Sequence, residues 1–231
     1  MDEAQQRIEG LLASDRVAHI VTFGSEMAML ARRDPAYREV INKADLVVPD
    51  TIGIVYATRI LGQPARERVP GVELVERLCD VCTQRGISVF LLGGEPKVAE
   101  RAAEALTSRH SGLRIAGIHD GYFQASEEAS VLAQIRASGA KLVLVALGFP
   151  QQEFWIRAHA ERLGPVVCMG VGGTFDVISG KLPRAPLLMR RLGLEWLYRL
   201  AREPKRLRRQ LVLPRFALLV VAQAIRQRRQ M

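Results

Sequence analysis

The stretch Lys141-Leu-Val-Leu-Val-Ala-Leu-Gly-Phe-Pro-Gln-Gln-Glu153 joins an uninterrupted apolar run to a turn and then to polar residues. An apolar run without polar alternation is typical of a strand that is buried on both faces of a parallel sheet. Such sheets bind their ligands at the carboxyl ends of the strands. The polar residues that follow this run, and others like it, are therefore the first place to look for chemistry.

Segments with strand character alternate with helical patterns along the first 180 residues. Strands are predicted at residues 17–23, 46–48, 87–92, 114–118, 142–147 and 166–169. Helices are predicted at residues 25–33, 52–61, 72–84, 96–108, 127–137 and 152–162. This alternation predicts an α/β domain with a doubly wound, mostly parallel, Rossmann-like sheet.

The strand signals stop after Gly180, and the rest of the chain has helical character. Proline interrupts this part of the chain at Pro204 and Pro214, because proline breaks the hydrogen bonding of a helix. We therefore expect an α/β core at residues 1–185 and a C-terminal helical appendage at residues 186–231.

The positive charge of the chain is concentrated in its C-terminal part. Residues 181–231 contain 14 Lys and Arg but only two acidic residues, Glu195 and Glu203. The preceding 180 residues contain 19 basic and 22 acidic residues. Clustered basic residues indicate nucleic acid or an anionic membrane surface as a partner, with a solvated helix face as the alternative. The few aromatic residues of this region also fit an apolar helix face, so we expect no nucleic acid partner.

The remaining composition favours a cytoplasmic protein. Three cysteines do not form a disulfide framework, and Cys79 and Cys82 lie in a helical pattern without the further ligands that a zinc site needs. The N-terminal residues lack the basic and apolar regions of a signal peptide. The most apolar late stretch, residues 216–222, is shorter than the roughly 20 residues that span a bilayer. Contact with a membrane would have to be peripheral.

Polar and small residues follow the predicted strands at the points where the strands end. Because the carboxyl ends of parallel strands meet at one edge of a sheet, we expect these residues to gather there. They are Thr22, Asp50, Gly93, Gly94, His119, Asp120, Gln152, Glu153 and residues 172–176. The Gly93-Gly94 turn precedes a helical pattern, where backbone N–H groups can approach a phosphate. Two glycines before a helix are common, however, and plain turn formation is the favoured explanation.

Asp50 is the best candidate for a general base. It follows Leu-Val-Val-Pro at a strand end, where partial desolvation would raise the pKa of its carboxyl group, as a base near neutral pH requires. The alternative is that Asp50 caps the helix predicted at residues 52–61, which is a common role for aspartate. Local sequence alone favours the cap.

Common nucleotide and metal motifs are missing from the sequence. No P-loop is present, and the Gly170-Val-Gly-Gly173 stretch has Phe175 where a dinucleotide fingerprint requires its third glycine. No Asp-x-Asp pair is available to hold a divalent metal on a diphosphate. If a diphosphate binds to this protein, arginine side chains and helix N-termini must neutralise its charge.

An ordered set of longer motifs covers nearly the whole chain. It comprises Val48-Pro-Asp-Thr-Ile-Gly-Ile54, Glu67-Arg-Val-Pro-Gly71, His119-Asp-Gly-Tyr-Phe123, Gly148-Phe-Pro-Gln-Gln-Glu-Phe-Trp-Ile156, Met169-Gly-Val-Gly-Gly-Thr-Phe-Asp176, Gly180-Lys-Leu-Pro-Arg-Ala-Pro186, and Gly193-Leu-Glu-Trp-Leu-Tyr-Arg-Leu200 followed by Glu203-Pro204. In this order the motifs resemble the WecG/TagA/CpsF family, which is glycosyltransferase family 26.

The resemblance implies an inverting, metal-independent enzyme without a cofactor. Such an enzyme transfers N-acetylmannosamine, glucose or a related hexose from a UDP-sugar donor to a polyprenyl-diphosphate-linked saccharide in bacterial cell-surface polysaccharide synthesis. The resemblance also implies that the protein works at the anionic inner face of the cytoplasmic membrane and self-associates. The appendage would reach over the site and touch that membrane.

Roles for single residues follow from the same resemblance. Asp50 is expected to be the catalytic base, and Thr22 is expected to line the site as a second catalytic residue. The expected donor-binding residues are Gln152 and Asp176, together with the edge glycines Gly93, Gly94 and Gly172. The residues expected to bind the acceptor and its diphosphate are Arg68, Arg199, Arg206 and Arg209.

Two positions depart from the family pattern. Gly24 stands where the family usually has asparagine, and Thr51 stands where it usually has glycine. The first change removes a side chain that could hydrogen-bond to a sugar, and the second replaces a freer backbone by a β-branched residue next to Asp50. A catalytically impaired family member that scaffolds a polysaccharide-synthesis complex is therefore the alternative function.

Overall fold

The computed structural model describes residues 1–204 and 207–229, except for the side chains of Arg191, Arg208 and Arg209. Its strands form one six-stranded sheet in the order β2-β1-β6-β5-β3-β4. The strands are β1 (Ala18–Phe23), β2 (Leu46–Pro49), β3 (Ser88–Gly93), β4 (Arg114–His119), β5 (Leu142–Ala146) and β6 (Val167–Gly170). All of the neighbouring pairs in this sheet are parallel, which confirms the predicted doubly wound α/β fold.

Helices connect the strands and cover both faces of the sheet. In the core they are α1 (Asp2–Ala13), α2 (Ser25–Arg33), α3 (Pro35–Asn42), α4 (Ile52–Ile60), α5 (Gly71–Arg85), α6 (Val98–Arg109), α7 (Glu128–Ala137), α8 (Gln151–Leu163) and α9 (Thr174–Ile178). The appendage contains α10 (Leu187–Arg191), α11 (Glu195–Arg202), α12 (Leu207–Gln210) and α13 (Val212–Arg229). The six predicted core helices are confirmed, whereas α1, α3 and α9 were not predicted.

The run that begins at Lys141 becomes the central strand β5, and every residue of β5 is buried. Leu142 and Leu144 pack into the layer that contains α1, α5, α6 and α9. Val143 and Val145 pack into the opposite layer, with α7 and α8. Because both faces of β5 are covered, the strand needs apolar residues at every position, which explains the lack of polar alternation.

The appendage returns to the core. Its longest helix, α13, packs against α2 and α4, both of which begin at the carboxyl edge of the sheet. Within the described ranges, each helix is too short or too polar to cross a bilayer. Arg206 lies outside the described residues, and nothing of the Arg209 side chain is described, so their predicted roles stay predictions.

Candidate active site

Asp50 lies directly after β2, at the carboxyl edge of the sheet. Its Oδ1 atom accepts a hydrogen bond of 2.7 Å from the backbone N–H of Gly71, the first residue of α5. Its own N–H donates to the carbonyl oxygen of Phe23 at 2.9 Å. The interpretation of Asp50 as the cap of the helix at residues 52–61 is wrong, because Thr51 is the N-cap residue of α4 and forms no side-chain cap there. Asp50 instead stabilises the N-terminus of α5.

The second carboxylate oxygen of Asp50 is the one that could take a proton. No hydrogen bond to Oδ2 comes from the described residues, a set that leaves out the side chains of Arg191, Arg208 and Arg209. Burial raises the pKa of the Asp50 carboxyl group, and the charge of Glu195 also raises it. The Gly71 N–H group and the charges of Arg199 and Arg68 lower this pKa. Burial is the largest of these effects, so the site holds a carboxylate that is more basic than a free aspartate.

Two arginines beside Asp50 share one carboxylate, that of Glu195 in α11. Nη1 of Arg68 lies 3.3 Å from one Glu195 oxygen, and Nη2 of Arg199 lies 3.1 Å from the other. The Glu195 side chain is 14% exposed and that of Arg68 is 17% exposed, so this bridge is largely shielded from water. The predicted acceptor residues Arg68 and Arg199 are thus brought together, although 127 positions separate Arg68 from Glu195.

Sequence reasoning gave Glu195 no role, although a signal was present. Glu195 is one of only two acidic residues among the last 51 residues, which carry 14 Lys and Arg. In the structure it fixes both guanidinium groups next to the candidate base and offsets their charge. Asp50, Glu195, Arg68 and Arg199 together carry no net charge when all four are ionised.

Thr22 lies in β1, next to the start of α5. Its hydroxyl group donates to the carbonyl oxygen of Gly170 in β6 at 2.8 Å. A Cβ atom placed on Gly71 would lie 3.5 Å from Cγ2 of Thr22, so Thr22 is in van der Waals range of the residue that holds Asp50. Thr22 and Asp50 therefore lie near each other at the sheet edge, as their positions at the ends of predicted strands indicated, while the catalytic role of Thr22 stays a prediction.

Gln152 and Gly172 also meet, but inside the protein. Gln152 is only 3% exposed. Its Oε1 atom accepts from the Gly172 N–H at 3.0 Å, and its Nε2 atom donates to the buried carboxylate of Glu153 at 2.7 Å. The hydroxyl group of Tyr37 donates to the other Glu153 oxygen at 3.2 Å. Burial raises the pKa of Glu153 to about 7. Gln152 thus holds the loop after β6 in place, and its predicted contact with the donor remains untested.

The Gly93-Gly94 turn is explained by close packing. A Cβ atom on Gly93 would lie 2.5 Å from the backbone of Ala146, and the Gly94 N–H donates to the Ala146 carbonyl oxygen at 3.0 Å. The next helix, α6, begins only at Val98, so Gly94 does not lie at its N-terminus. The alternative of plain turn formation accounts for both glycines, and their contact with a phosphate stays a prediction.

Asp176 is tied to this turn through Lys181. The ammonium group of Lys181 lies 3.2 Å from Asp176 and 2.8 Å from Glu95, which follows the two glycines. Hydrogen bonds to Glu95, the larger effect, and to Asp176 raise the pKa of Lys181.

Among the described residues, no three His, Cys, Asp or Glu side chains cluster in a way that could hold a metal ion. Independence from metal ions remains a prediction.

The sheet of six parallel strands, with helices on both faces, makes this chain a Rossmann-like α/β protein. Comparison with known proteins identifies the family. A sequence profile described as "Glycosyl transferase WecG/TagA/CpsF family" matches residues 1–230, and the chain therefore belongs to this family.

Two relatives carry a specific enzyme name, "N-acetylglucosaminyldiphosphoundecaprenol N-acetyl-beta-D-mannosaminyltransferase". The protein of Bacillus spizizenii is 37% identical over 210 residues, which cover 91% of this chain and 81% of that protein. The protein of Bacillus subtilis is 35% identical over 204 residues, which cover 88% of this chain and 79% of that protein. The resemblance read from the motifs is confirmed.

Proposed function

We propose that this protein is an inverting glycosyltransferase. It transfers N-acetylmannosamine, glucose or a related hexose from a UDP donor to a polyprenyl-diphosphate-linked saccharide during synthesis of a bacterial cell-surface polysaccharide. The names of the two relatives support the lipid-linked acceptor. The observation that carries the proposal is the Asp50 carboxylate, anchored through one oxygen beside two arginines at the carboxyl edge of the sheet.

Asp50 would act as the general base of a single displacement. Its Oδ2 atom takes the proton of the acceptor hydroxyl group while the acceptor oxygen forms a bond to the anomeric carbon of the donor sugar. The bond between that carbon and the diphosphate oxygen breaks on the opposite face, and its electron pair leaves with UDP. The anomeric configuration inverts, and no side chain needs to act as a nucleophile.

Positive side chains would stabilise the charge that develops on the diphosphate. Arg68 and Arg199 are already oriented by Glu195, so little reorganisation is needed when an anion arrives. Their charge is balanced by Asp50 and Glu195, and additional positive charge is therefore required. Arg206 and Arg209 are the residues proposed to supply it, in place of a metal ion.

The appendage would hold the enzyme at the cytoplasmic face of the membrane. Leu218, Val221 and Ile225 are exposed on α13 at spacings of three and four residues, which places them on one side of the helix. Arg215 and Arg226 lie on the same helix and are exposed. Apolar side chains beside basic ones suit an anionic bilayer surface, where each basic residue contributes about 1 kcal/mol.

A scaffolding protein without activity is the second candidate function, because Gly24 and Thr51 depart from the family pattern next to Asp50. Release of UDP from UDP-N-acetylmannosamine and UDP-glucose, with and without a polyprenyl-diphosphate-linked N-acetylglucosamine acceptor, separates the two functions. The transferase releases UDP only when the acceptor is present, and it does so in excess EDTA. Absence of release with every donor favours the scaffold, and activity that needs added Mg²⁺ or Mn²⁺ contradicts the proposed chemistry.

A further inference from the structure

An open groove of about 390 Å³ lies between α2, α4 and α13. Its walls are mostly apolar, and the side chains that matter here are Ala28, Met29, Ile54, Ala57, Phe216 and Leu219. The polar side chains at its border are Arg32, Thr58 and Gln223. Its volume falls within the roughly 300–1,000 Å³ of typical ligand pockets, which are likewise lined mainly by apolar side chains.

One end of the groove reaches the candidate active site. Phe23, which lines the groove, is the last residue of β1, and its carbonyl oxygen accepts the hydrogen bond from the Asp50 N–H. Phe216 of α13 lies near the start of α4, because its Cε1 atom is 3.7 Å from the position that a Cβ atom on Gly53 would occupy. The groove therefore begins within a few residues of the candidate base.

The other end of the groove lies away from the sheet edge. α2 and α4 both start at that edge, and the groove follows them to Arg32 and Leu61, about two helical turns or roughly 10 Å further along. α4 and α13 also carry exposed apolar side chains, at Tyr56, Ile60, Leu218, Val221 and Ile225. The groove thus runs between helices whose exposed sides are also partly apolar.

We propose that this groove binds the first isoprene units of the polyprenyl chain of the acceptor, an inference that rests on the proposed function. A nucleotide or a sugar would need many polar partners, which these walls do not offer. At the packing density of about 0.74 found in protein interiors, the groove holds about three isoprene units.

The position of the groove favours the polyprenyl chain of the acceptor over the acyl chain of a membrane phospholipid. A chain that lies between α2 and α4 ends beside Phe23, so a diphosphate attached to it emerges next to Asp50, Arg68 and Arg199. The acyl chain of a membrane phospholipid has similar chemistry, but its headgroup would then occupy the site. Binding of the polyprenyl chain instead positions the sugar that carries the attacking hydroxyl group.

The first test fills the groove and compares two acceptors. Ala28→Phe places a ring in the groove from α2, and Ala133→Phe makes the same change on the exposed surface of α7. The acceptors are diphosphate-linked N-acetylglucosamine with an undecaprenyl chain or with a single isoprene unit. Ala28→Phe is expected to raise KM for the long acceptor about tenfold and to leave kcat/KM for the short acceptor unchanged, and Ala133→Phe is expected to change neither.

Two results of this test would overturn the proposal. One is an unchanged KM of Ala28→Phe for the long acceptor. The other is an equal loss of kcat/KM with both acceptors, which would show that the groove contributes only to the stability of the fold. If Ala28→Phe does not fold, Ala28→Leu adds less volume and is expected to give a smaller rise of KM for the long acceptor only, with no rise counting against the proposal.

A binding measurement separates this proposal from the proposed transferase activity. Farnesyl diphosphate, which has three isoprene units, is expected to bind the wild-type protein at least tenfold more tightly than inorganic diphosphate in equilibrium dialysis. Ala28→Phe is expected to abolish this preference. The preference would support the groove even if no sugar is transferred, whereas transfer without a preference for the longer chain would overturn it. Displacement of farnesyl diphosphate by an equal concentration of a short-chain phosphatidylglycerol that stays monomeric in solution would assign the groove to phospholipid and also overturn the proposal.

Discussion

The two residues that depart from the family pattern touch each other. A Cβ atom placed on Gly24 would lie 3.3 Å from Cγ2 of Thr51, which is closer than most real contacts of this kind. Oγ1 of Thr51 accepts from the Ser25 N–H at 3.3 Å, at the N-terminus of α2. Thr51 therefore occupies space that an asparagine side chain at position 24 would need, and it gives the first backbone N–H group of α2 an acceptor.

Because the two positions share this space, their substitutions should be coupled. Gly24→Asn alone should destabilise the protein by crowding Thr51, and Thr51→Gly alone should destabilise it by removing the acceptor for Ser25. In the double variant the new asparagine can cap α2, so its loss of stability should be smaller than the sum of the single losses by about 1 kcal/mol. Urea unfolding of the four proteins measures the coupling, and strictly additive losses would contradict it.

Asp50→Asn should abolish transfer and leave the fold intact. The amide cannot accept the proton, and loss of a general base typically lowers the rate about 10²–10⁴-fold. The control is Asp45→Asn, at the amino end of β2, where the Asp45 carboxylate accepts from the His19 N–H and no loss of turnover is expected. Near-normal turnover of purified Asp50→Asn would remove Asp50 from the mechanism.

The same variant should be more stable than the wild type at neutral pH. Burial raises the pKa of Asp50 in the folded protein above its ordinary value of 3.8, so the folded state loses stability as the pH rises through that raised pKa. The amide of the variant does not ionise and avoids this cost. Thermal unfolding should show a higher midpoint for the variant at pH 8 and a vanishing difference towards pH 3, where both side chains are neutral.

Glu195→Gln should extend activity to lower pH. The base must be ionised, so the rate falls as the pH drops through the pKa of Asp50, and the charge of Glu195 raises that pKa. Removing this charge lowers the pKa of Asp50 and moves the acidic limb of the kcat/KM profile to lower pH. Glu203→Gln, which changes the other acidic residue of the appendage, serves as the control. An acidic limb that stays in place would show that Glu195 does not act on the base.

Glu153→Gln should remove a pH dependence from the stability of the protein. Burial raises the pKa of Glu153 from 4.5 to about 7, so the wild-type protein loses stability as the pH rises between these values. The loss amounts to about 3 kcal/mol at most. Unfolding free energies measured from pH 4 to pH 8 should therefore fall less for Glu153→Gln than for the wild type and for Glu161→Gln, which changes an exposed residue of α8.

The exposed apolar side of α13 should bind anionic vesicles. Leu218→Glu and Val221→Glu place negative charge where Leu218 is 71% exposed, so they should reduce cosedimentation with phosphatidylglycerol vesicles without unfolding the protein. Gln134→Glu adds the same charge on exposed α7 and should leave binding unchanged. Unaltered binding of the α13 variants, or equal weakening by Gln134→Glu, would show that α13 is not the contact.

Much of the fold could be predicted because its signals are local. The apolar run of β5 fits only a strand that is buried on both faces. Parallel strands bring their carboxyl ends to one edge of the sheet, and this correctly placed Thr22 near Asp50. The helix α3 carried a local signal that went unused, since Asp34 precedes Pro35 and its side chain accepts from the N–H groups of Ala36 and Tyr37. α3 was thus predictable from its own sequence.

Other features depend on contacts between distant parts of the chain. The partner of Asp50 is Gly71, 21 residues later, so local sequence favoured the wrong helix for its cap. The bridge from Arg68 to Glu195 and the burial of Gln152 are set by how the elements pack, and no pattern of periodicity records them. Residue types at strand ends therefore predicted which side chains lie near one another at the sheet edge, while their partners required the structure.

Glu195 makes the boundary near residue 185 a poor place to divide the chain. A fragment ending there would keep Asp50 and Arg68 but lose Glu195 and Arg199 together. Arg68 would then have no Glu195 carboxylate to bind, and Asp50 would no longer experience the charges of Glu195 and Arg199. A slow fragment would therefore reflect an altered catalytic centre as much as lost attachment to lipid, and point substitutions in the intact chain are the fairer way to study the appendage.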